Sequence, residues 1–218
     1  MKRNKEWVRY LELMQERPRL FVNEEELIIL TDEDVVEQFE MQTGKTIGVV
    51  YESPFHLMVV DLVKNSQAKC FAYERLIPAV STGAVVAIPV IENKFVLLYQ
   101  YRHALRRKQY AFPRGFGEPG ISSAQNVLKE LKEELGAKVK SSQLIGSVVA
   151  DSGIEGSEVS VYLCELENVE LQYQYEGIEN IELLTREELE NWIAEGKIDD
   201  GFTLSAYCLL QYGVMAVC

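Results

Sequence analysis

The feature that most constrains the fold of this chain is a segment after Gly120 in which apolar residues recur with helical spacing. Ser122 and Gln125 form a capping-box pattern at its start, and Gly136 is a typical helix end. Five residues between them follow the i, i+3, i+4, i+7 rule: Ala124, Val127, Leu128, Leu131 and Leu135. The pattern predicts an amphipathic helix that buries one apolar stripe against another element.

Runs of β-branched and aromatic residues on both sides of this helix predict strands. Five runs precede it: 47–51, 56–63, 69–76, 84–91 and 95–101, of which the first three suggest an antiparallel meander. After it we expect strands at 144–150 and 159–166 and helices at 185–195 and 203–212. Because strands and helices mix within 81–218, the sequence predicts an α/β (α+β) architecture with a mixed sheet.

The net charge of −12 is unevenly distributed along the chain. Residues 81–150 carry 10 basic and 5 acidic side chains, whereas the chain as a whole has 22 basic and 34 acidic residues. An acidic protein binds nucleic acid poorly, since that affinity comes mainly from Lys and Arg contacts to phosphates. A basic middle section favours a small anionic ligand instead.

Compartment and membrane association are also constrained. No run of 18 apolar residues is present, and the charged start of the chain lacks the apolar stretch of a signal peptide. The four cysteines are widely spaced without a Cys-x-x-Cys pair, which argues against a zinc site or a disulfide framework. We therefore expect a cytoplasmic protein without a membrane span.

The predicted helix carries three glutamates, Glu130, Glu133 and Glu134, beside its leucine stripe. Carboxylates clustered on one flank repel each other unless a cation lies between them, and hard oxygen ligands suit Mg²⁺, with Mn²⁺ as an alternative. A second interpretation, left open by the pattern alone, is a solvated acidic face paired with Lys129 and Lys132.

A glycine-rich loop, 113–120, joins a strand-like segment to this helix. Its glycines permit backbone conformations that turn carbonyls or amides toward a ligand. An arginine and glycines next to a carboxylate-bearing helix are what a metal–pyrophosphate site would need.

Residues 115–137 resemble the Nudix box, Gly-x5-Glu-x7-Arg-Glu-U-x-Glu-Glu-x-Gly-U, where U is apolar. The matching positions are Gly115, Glu130, Leu131, Glu133, Glu134, Gly136 and Ala137. Ile121 stands where the family has its first Glu and Lys129 where it has Arg, the two side chains that help brace the loop against the helix in the family. Over 70–212 the chain is most similar to the ADP-ribose pyrophosphatase branch, through segments 71–75, 98–102 and 195–200, although Ala111 replaces a Glu that is frequent there.

The resemblance implies an α/β/α sandwich and Mg²⁺-dependent attack of water on a nucleoside diphosphate linked to another group. It implies that Glu130 and Glu134 are direct metal ligands and that Glu133 completes the shell or holds a metal-bound water. The carbonyl of Arg114 is a further candidate ligand.

Other roles follow from the same resemblance. A general base is expected from a later loop, where Glu158 is favoured over Glu155. The pyrophosphate is predicted to be bound by Arg102, Arg114 and Gly115, since guanidinium forks suit phosphate oxygens.

The resemblance also implies a domain organisation. Residues 81–218 are predicted to form the Nudix domain, and residues 1–80 an N-terminal helix and β-rich extension. In the ADP-ribose branch such extensions commonly build a homodimer, so we expect a homodimer here; a meander folded on its own subunit is the alternative.

The leading hypothesis is hydrolysis of ADP-ribose or a related ADP-sugar to AMP and a sugar phosphate. A different class of function, a catalytically weak Nudix module that binds a nucleotide sugar as a sensor, is motivated by Ile121, Lys129 and Ala111. A nucleic-acid-processing hydrolase is disfavoured by the acidic charge.

Overall fold

A computed structural model describes residues 4–170 and 177–213. The chain divides into two compact units. The first comprises the chain up to Ser81 together with Asp151–Ser157, and the second comprises Thr82–Ala150 together with the chain from Glu158 onwards. The loop 151–157 is thus part of the N-terminal unit, although it lies far along the sequence.

The described residues of the N-terminal unit, from Asn4 onwards, form two helices and four strands. In chain order they are α1 (Lys5–Glu16), a 3₁₀ turn (Pro18–Phe21), β1 (Leu27–Ile29), α2 (Glu33–Thr43), β2 (Gly48–Glu52), β3 (His56–Asn65) and β4 (Cys70–Pro78). The strand β3 pairs antiparallel with β1 and β2 along one side and with β4 along the other. The predicted antiparallel meander is therefore confirmed.

Three apolar residues of α1 bury against this sheet. Trp7, Tyr10 and Leu13 recur at helical spacing and share a core with Leu57, Val59 and other strand residues. The helix begins where the Asn4 side chain accepts a hydrogen bond from the Trp7 backbone N–H, and it ends shortly before Pro18.

In the second unit, the part that the structure describes forms seven strands and three helices. They are β5 (Val85–Ile91), β6 (Lys94–Arg102), β7 (Arg107–Ala111), β8 (Arg114–Gly115), α3 (Ser123–Leu135), β9 (Lys138–Val148), β10 (Val159–Asn168), β11 (Ile178–Leu184), α4 (Arg186–Ala194) and α5 (Gly201–Tyr212). The sheet order is β11-β6-β5-β10-β9, with β7 paired to β6 and β8 paired to β5. Since β5 and β10 are parallel and the other pairs are antiparallel, the sheet is mixed, as predicted.

Helices cover both faces of this sheet. On β5, Val85 and Ala87 face the side of α3, whereas Val86 and Ile88 face α4 and α5. A strand that is buried on both faces consists of consecutive apolar residues, which explains the sequence Val-Val-Ala-Ile at 85–88 of β5. The arrangement is the predicted α/β/α sandwich.

The predicted ends of α3 are confirmed, but its predicted stripe is partly wrong. Ser122 and Gln125 form the capping box, and Gly136 ends the helix in the left-handed conformation. Ala124 and Leu128 are exposed, while Asn126 and Glu134 are buried with Val127, Leu131 and Leu135. The buried side of α3 is therefore shifted toward its polar flank.

Some strands were not predicted or begin earlier than expected. The strand β9 starts at Lys138, six residues before the predicted start, and β7, β8 and β11 are additional. Residues 138–143 and 107–108 are mostly exposed and polar. Exposed strands of this kind lack the apolar alternation on which the prediction depends. No helix among the described residues is long and apolar enough to cross a membrane.

Candidate active site

The predicted metal-binding glutamates lie on one flank of α3 at different depths. Glu134 is buried, Glu130 has a side chain that is 14% exposed, and Glu133 is about half exposed. The helix holds them there because Val127, Leu131 and Leu135 pack into the core beneath the sheet. The structure thus separates two shielded carboxylates from one at the surface.

The glycine-rich loop lies directly against these carboxylates. A side chain at Gly115 would collide with the carboxyl group of Glu130. A side chain at Gly117 would collide with the carbonyl oxygen of Thr82. The backbone of the loop can approach the helix and the start of β5 only because both positions are glycine.

Lys129 forms a small ion-pair network beside the loop. Its ammonium group is 2.8 Å from a carboxylate oxygen of Glu118, 2.8 Å from one of Glu133 and 3.8 Å from one of Glu130. Hydrogen bonds to Glu118 and then to Glu133 raise the pKa of Lys129 well above its ordinary value, so it is charged at neutral pH. Lys129 therefore bridges the loop and the helix through Glu118.

The chemistry of the donor set fits a divalent cation. Glu130 and Glu134 supply carboxylate oxygens, the ligand type that Mg²⁺ and Mn²⁺ prefer, within a partly buried region. Across residues 4–170 and 177–213, no three His, Cys, Asp or Glu side chains are grouped closely enough to form a ready metal site. Glu133 instead pairs with Lys129 in this conformation.

Arg114 is fixed by the start of α5. Its Nη1 atom donates a hydrogen bond of 3.1 Å to the buried carboxylate of Asp200, and its guanidinium lies over the Phe202 ring, 5.0 Å from the centroid. Asp200 is also the N-cap of α5, because it accepts from the backbone N–H of Thr203. The side chain of Arg114 is therefore oriented by an anion and an aromatic face.

Arg102 ends β6 and is half-buried opposite Arg107 in the β6–β7 pair. Arg107 in turn forms an ion pair with Asp199, which also accepts a 2.8 Å hydrogen bond from Gln109. These two hydrogen bonds hold the pKa of Asp199 below its ordinary value, and the bond from Arg107 has the larger effect. Asp199 and Asp200 thus connect the turn before α5 to β7 and to Arg114.

The two candidates for the general base belong to different units. Glu158 is exposed just before β10, and its carboxylate accepts a hydrogen bond from the Ser147 hydroxyl on β9. Glu155 is half-buried in the segment 151–157 and forms a bridge with Leu76 of β4 in the N-terminal unit. Only Glu158 lies in the unit that carries α3.

Comparison with family models identifies this region. The model of the NUDIX domain matches residues 81–202, which is more than half of the chain. The chain belongs to the Nudix family. Its identification as a Nudix-type pyrophosphohydrolase is therefore confirmed at the level of the family, whose members generally use divalent metal ions.

Two relatives of this Nudix protein are informative. The methanol dehydrogenase activator of Bacillus methanolicus is 31% identical over 134 residues, which are 59% of this chain and 72% of the relative. A crystal structure of an ADP compounds hydrolase superposes with a TM-score of 0.64 at 16% identity, covering 76% of this chain and 90% of the other. The second comparison confirms the Nudix fold.

Three residues of the site were not singled out from the sequence. Glu118 pairs with Lys129, Asp200 holds Arg114, and Asn126 donates hydrogen bonds to the loop. The spacing offered a signal for Asn126, since it precedes Glu130 by four residues and Glu134 by eight and so shares their flank. A polar residue in that row indicates a contact with the same loop.

Proposed function

We propose that this Nudix protein hydrolyses the pyrophosphate bond of ADP-ribose or a related ADP-sugar in a Mg²⁺-dependent reaction. Water attacks one phosphorus, the bond from that phosphorus to the bridging oxygen breaks, and AMP and a sugar phosphate are released. The observation that carries the proposal is the contact of the Gly115 backbone with Glu130, one helical turn before the buried Glu134.

Glu130 and Glu134 would hold the cation, with Glu133 and the Arg114 carbonyl as further ligands. Mg²⁺, when bound, would supply charge neutralisation on the pyrophosphate oxygens and a lower pKa for water. Glu130 is held in place by the loop, while Glu134 is held by its burial on α3. To bind the cation, Glu133 would have to give up its 2.8 Å contact with Lys129.

The arginines would orient the two phosphates. Arg114 is already fixed by Asp200 and Phe202, so it loses little conformational freedom when it binds an anion. Arg102 adds a second guanidinium at the end of β6, and Gly115 lets the backbone approach the ligand closely. Paired guanidinium groups are suited to the bidentate recognition of phosphate oxygens.

Glu158 is our choice for the general base, with Glu155 as the alternative. The Glu158 carboxylate lies at the surface of the catalytic unit and is oriented by the Ser147 hydroxyl. Single changes to Gln at the two positions remove the base while keeping the shape of the side chain. We expect Glu158→Gln to lower kcat by roughly 100-fold or more and Glu155→Gln to have a smaller effect.

The test of the proposal is product analysis with a panel of substrates. The name of the structural neighbour, ADP compounds hydrolase, supports starting with ADP-ribose, other ADP-sugars and dinucleotides. We expect equal amounts of AMP and sugar phosphate from ADP-ribose when Mg²⁺ is present. Binding of ADP-ribose without cleavage of any member of the panel would contradict hydrolysis and favour the sensor function.

Activation of a methanol dehydrogenase is a second candidate function. It is favoured by the 31% identity with the Bacillus methanolicus protein that carries that name. Adding the purified protein to a methanol dehydrogenase should raise the rate of methanol oxidation, and Glu134→Gln should abolish the effect if it requires hydrolysis. An unchanged rate with the wild-type protein would rule this candidate out.

A further inference from the structure

Asn126 occupies a position in α3 that the mechanism above does not use. It is completely buried, and it lies in a row with Glu130 and Glu134 at intervals of four residues. Its neighbours on the buried side, Val127 and Leu131, are apolar. A polar amide at this depth needs hydrogen bonds to be tolerated.

The side-chain amide of Asn126 connects the glycine-rich loop to the segment just before β5. Its Nδ2 atom donates to the carbonyl oxygen of Gly83 at 2.8 Å and to that of Phe116 at 2.7 Å. Because both partners are acceptors, the orientation of the amide is defined, and both of its N–H groups are used. Asn126 therefore joins the residues just before β5 to the loop residue that follows β8.

These two bonds continue a very short strand pair. The strands β5 and β8 pair Val85 with Gly115 and Val86 with Arg114, and the Ala87 N–H donates to the Pro113 carbonyl just before β8. Asn126 adds a hydrogen bond at Phe116, the residue that follows this pair. The restraint acts at Phe116, adjacent to the glycine that touches Glu130.

The oxygen of the same amide shows that this arrangement has a cost. The Oδ1 atom of Asn126 is buried and makes no hydrogen bond with any residue of the described chain. A buried acceptor without a partner lowers stability, and Asn is also a weaker helix former than Ala. An apolar residue would avoid both penalties, but it would leave the carbonyl oxygens of Gly83 and Phe116 without this donor, so the value of the asparagine lies in its bonds to these two segments.

A second connection between loop and helix is weaker. Lys129 pairs with Glu118, but their side chains are 34% and 40% exposed, so water and salt screen the interaction. The buried bonds from Asn126 are not screened in this way. Asn126 is therefore a stronger restraint than the pair of Lys129 with Glu118.

We propose that Asn126 is a positioning residue that fixes the loop 115–117 against Glu130 and so sets the geometry of the cation site. The inference rests on the proposed function for its effect on cation binding, but not for its effect on the loop. The proposal predicts that loss of the Asn126 amide makes the loop more mobile and, as a result, weakens cation binding.

The experiment compares wild type, Asn126→Ala and the control Gln125→Ala. Gln125 is the adjacent residue of the same helix. Its change to Ala removes hydrogen bonds from Ser122 instead of hydrogen bonds to the loop. Amide hydrogen exchange over 115–118, Mn²⁺ binding measured by electron paramagnetic resonance without substrate, and thermal unfolding are recorded for each. Should Asn126→Ala fold poorly, Asn126→Ser keeps one donor and is measured in its place.

For Asn126→Ala we expect faster exchange confined to 115–118 and Mn²⁺ binding weaker by about 10-fold, as is usual when a group that orients a metal ligand is lost. Gln125→Ala should match wild type in both. Unchanged exchange at 115–118 would overturn the proposal, as would faster exchange spread over the whole unit. If wild type binds no Mn²⁺ at all, the proposed function fails, and the exchange data alone decide whether Asn126 holds the loop.

Discussion

Gly115 is the residue at which the absence of a side chain matters most to the site. Its backbone lies beside the Glu130 carboxylate, and a Cβ atom added there would collide with that group. Because the contact is with the end of a flexible side chain, a substitution would push the Glu130 carboxylate out of its place. Glycine here allows the close approach that leaves the carboxylate where it is.

Gly115→Ala should therefore displace Glu130 and reduce turnover. We expect kcat/KM for the substrate to fall by at least about 10-fold, because a misplaced metal ligand weakens stabilisation of the transition state. Gly201→Ala is the control, since nothing lies within 4 Å of the added Cβ there. Steady-state kinetics of the two variants should separate them, and equal activity would contradict the role assigned to Gly115.

Asp199 gives a prediction for pH dependence. Its pKa in the folded state is lowered by hydrogen bonds from Arg107 and Gln109, so the folded state favours the ionised carboxylate. The stabilisation is present above the ordinary carboxyl pKa of about 4 and is lost as the pH falls through the lower folded value. The difference in unfolding midpoint between wild type and Asp199→Asn should shrink from pH 6 to pH 3, and a constant difference would contradict it.

At the residue level, the sequence predicted charged groups better than their partners. Helical spacing was enough to place Glu130, Glu133 and Glu134 on one flank, because the period of a helix fixes which residues share a flank. Their role as metal ligands came from the resemblance to the Nudix box and stays a prediction. The pairings of Lys129 with Glu118 and of Arg114 with Asp200 join residues 11 and 86 positions apart. Such contacts depend on how the elements pack, which spacing does not encode.

At the level of elements, α5 contributes to the site through its N-cap residue, Asp200. The Asp200 carboxylate caps the helix with one oxygen and binds Arg114 with the other. The Thr203 hydroxyl donates to that carboxylate and accepts from the backbone N–H of Phe112. The orientation of Arg114 therefore depends on the same group that begins α5.

Two substitutions at Asp200 separate these roles. Asp200→Ala removes both the cap of α5 and the contact with Arg114. It should lower the free energy of unfolding by about 1–2 kcal/mol, the usual cost of a lost cap. Asp200→Asn keeps a cap, so it should destabilise the fold much less than Asp200→Ala does. It should still weaken substrate binding through Arg114. Chemical denaturation and KM measure the two effects, and equal destabilisation by both variants would contradict the separation.

Which elements could be predicted depended on their burial. The helix α3 and strand β5 were predicted close to their observed limits, since apolar period and caps coincide in them. The polar strands β7 and β9 are mostly exposed and were missed or shortened. The buried Asn126 and Glu134 also shifted the packed side of α3 away from the predicted stripe.

At the level of the whole molecule, the N-terminal unit leaves a long strand at the edge of its sheet. The strand β4 pairs with β3 on one side, and on the other side its Leu76 exchanges backbone hydrogen bonds with Ile154 and Gly156 of the loop 151–157. Exposed edge strands of this length usually need to be covered. We therefore retain the prediction of a homodimer that uses this unit.

Sedimentation equilibrium tests the dimer directly. At micromolar concentration we expect a mass of twice the 24.9 kDa of the chain. A single species with the mass of one chain over that concentration range would remove the dimer and leave the meander folded on its own subunit.

The most direct test of the central claim is AMP release from ADP-ribose by wild type and Glu134→Gln, each with and without Mg²⁺. Gln keeps the shape of the buried side chain but removes its charge, so the fold should persist while cation binding fails. We expect Mg²⁺-dependent release by wild type and a rate at least about 100-fold lower for the variant. Equal rates for the two proteins, or release that does not need Mg²⁺, would contradict the assignment of the metal site to this helix.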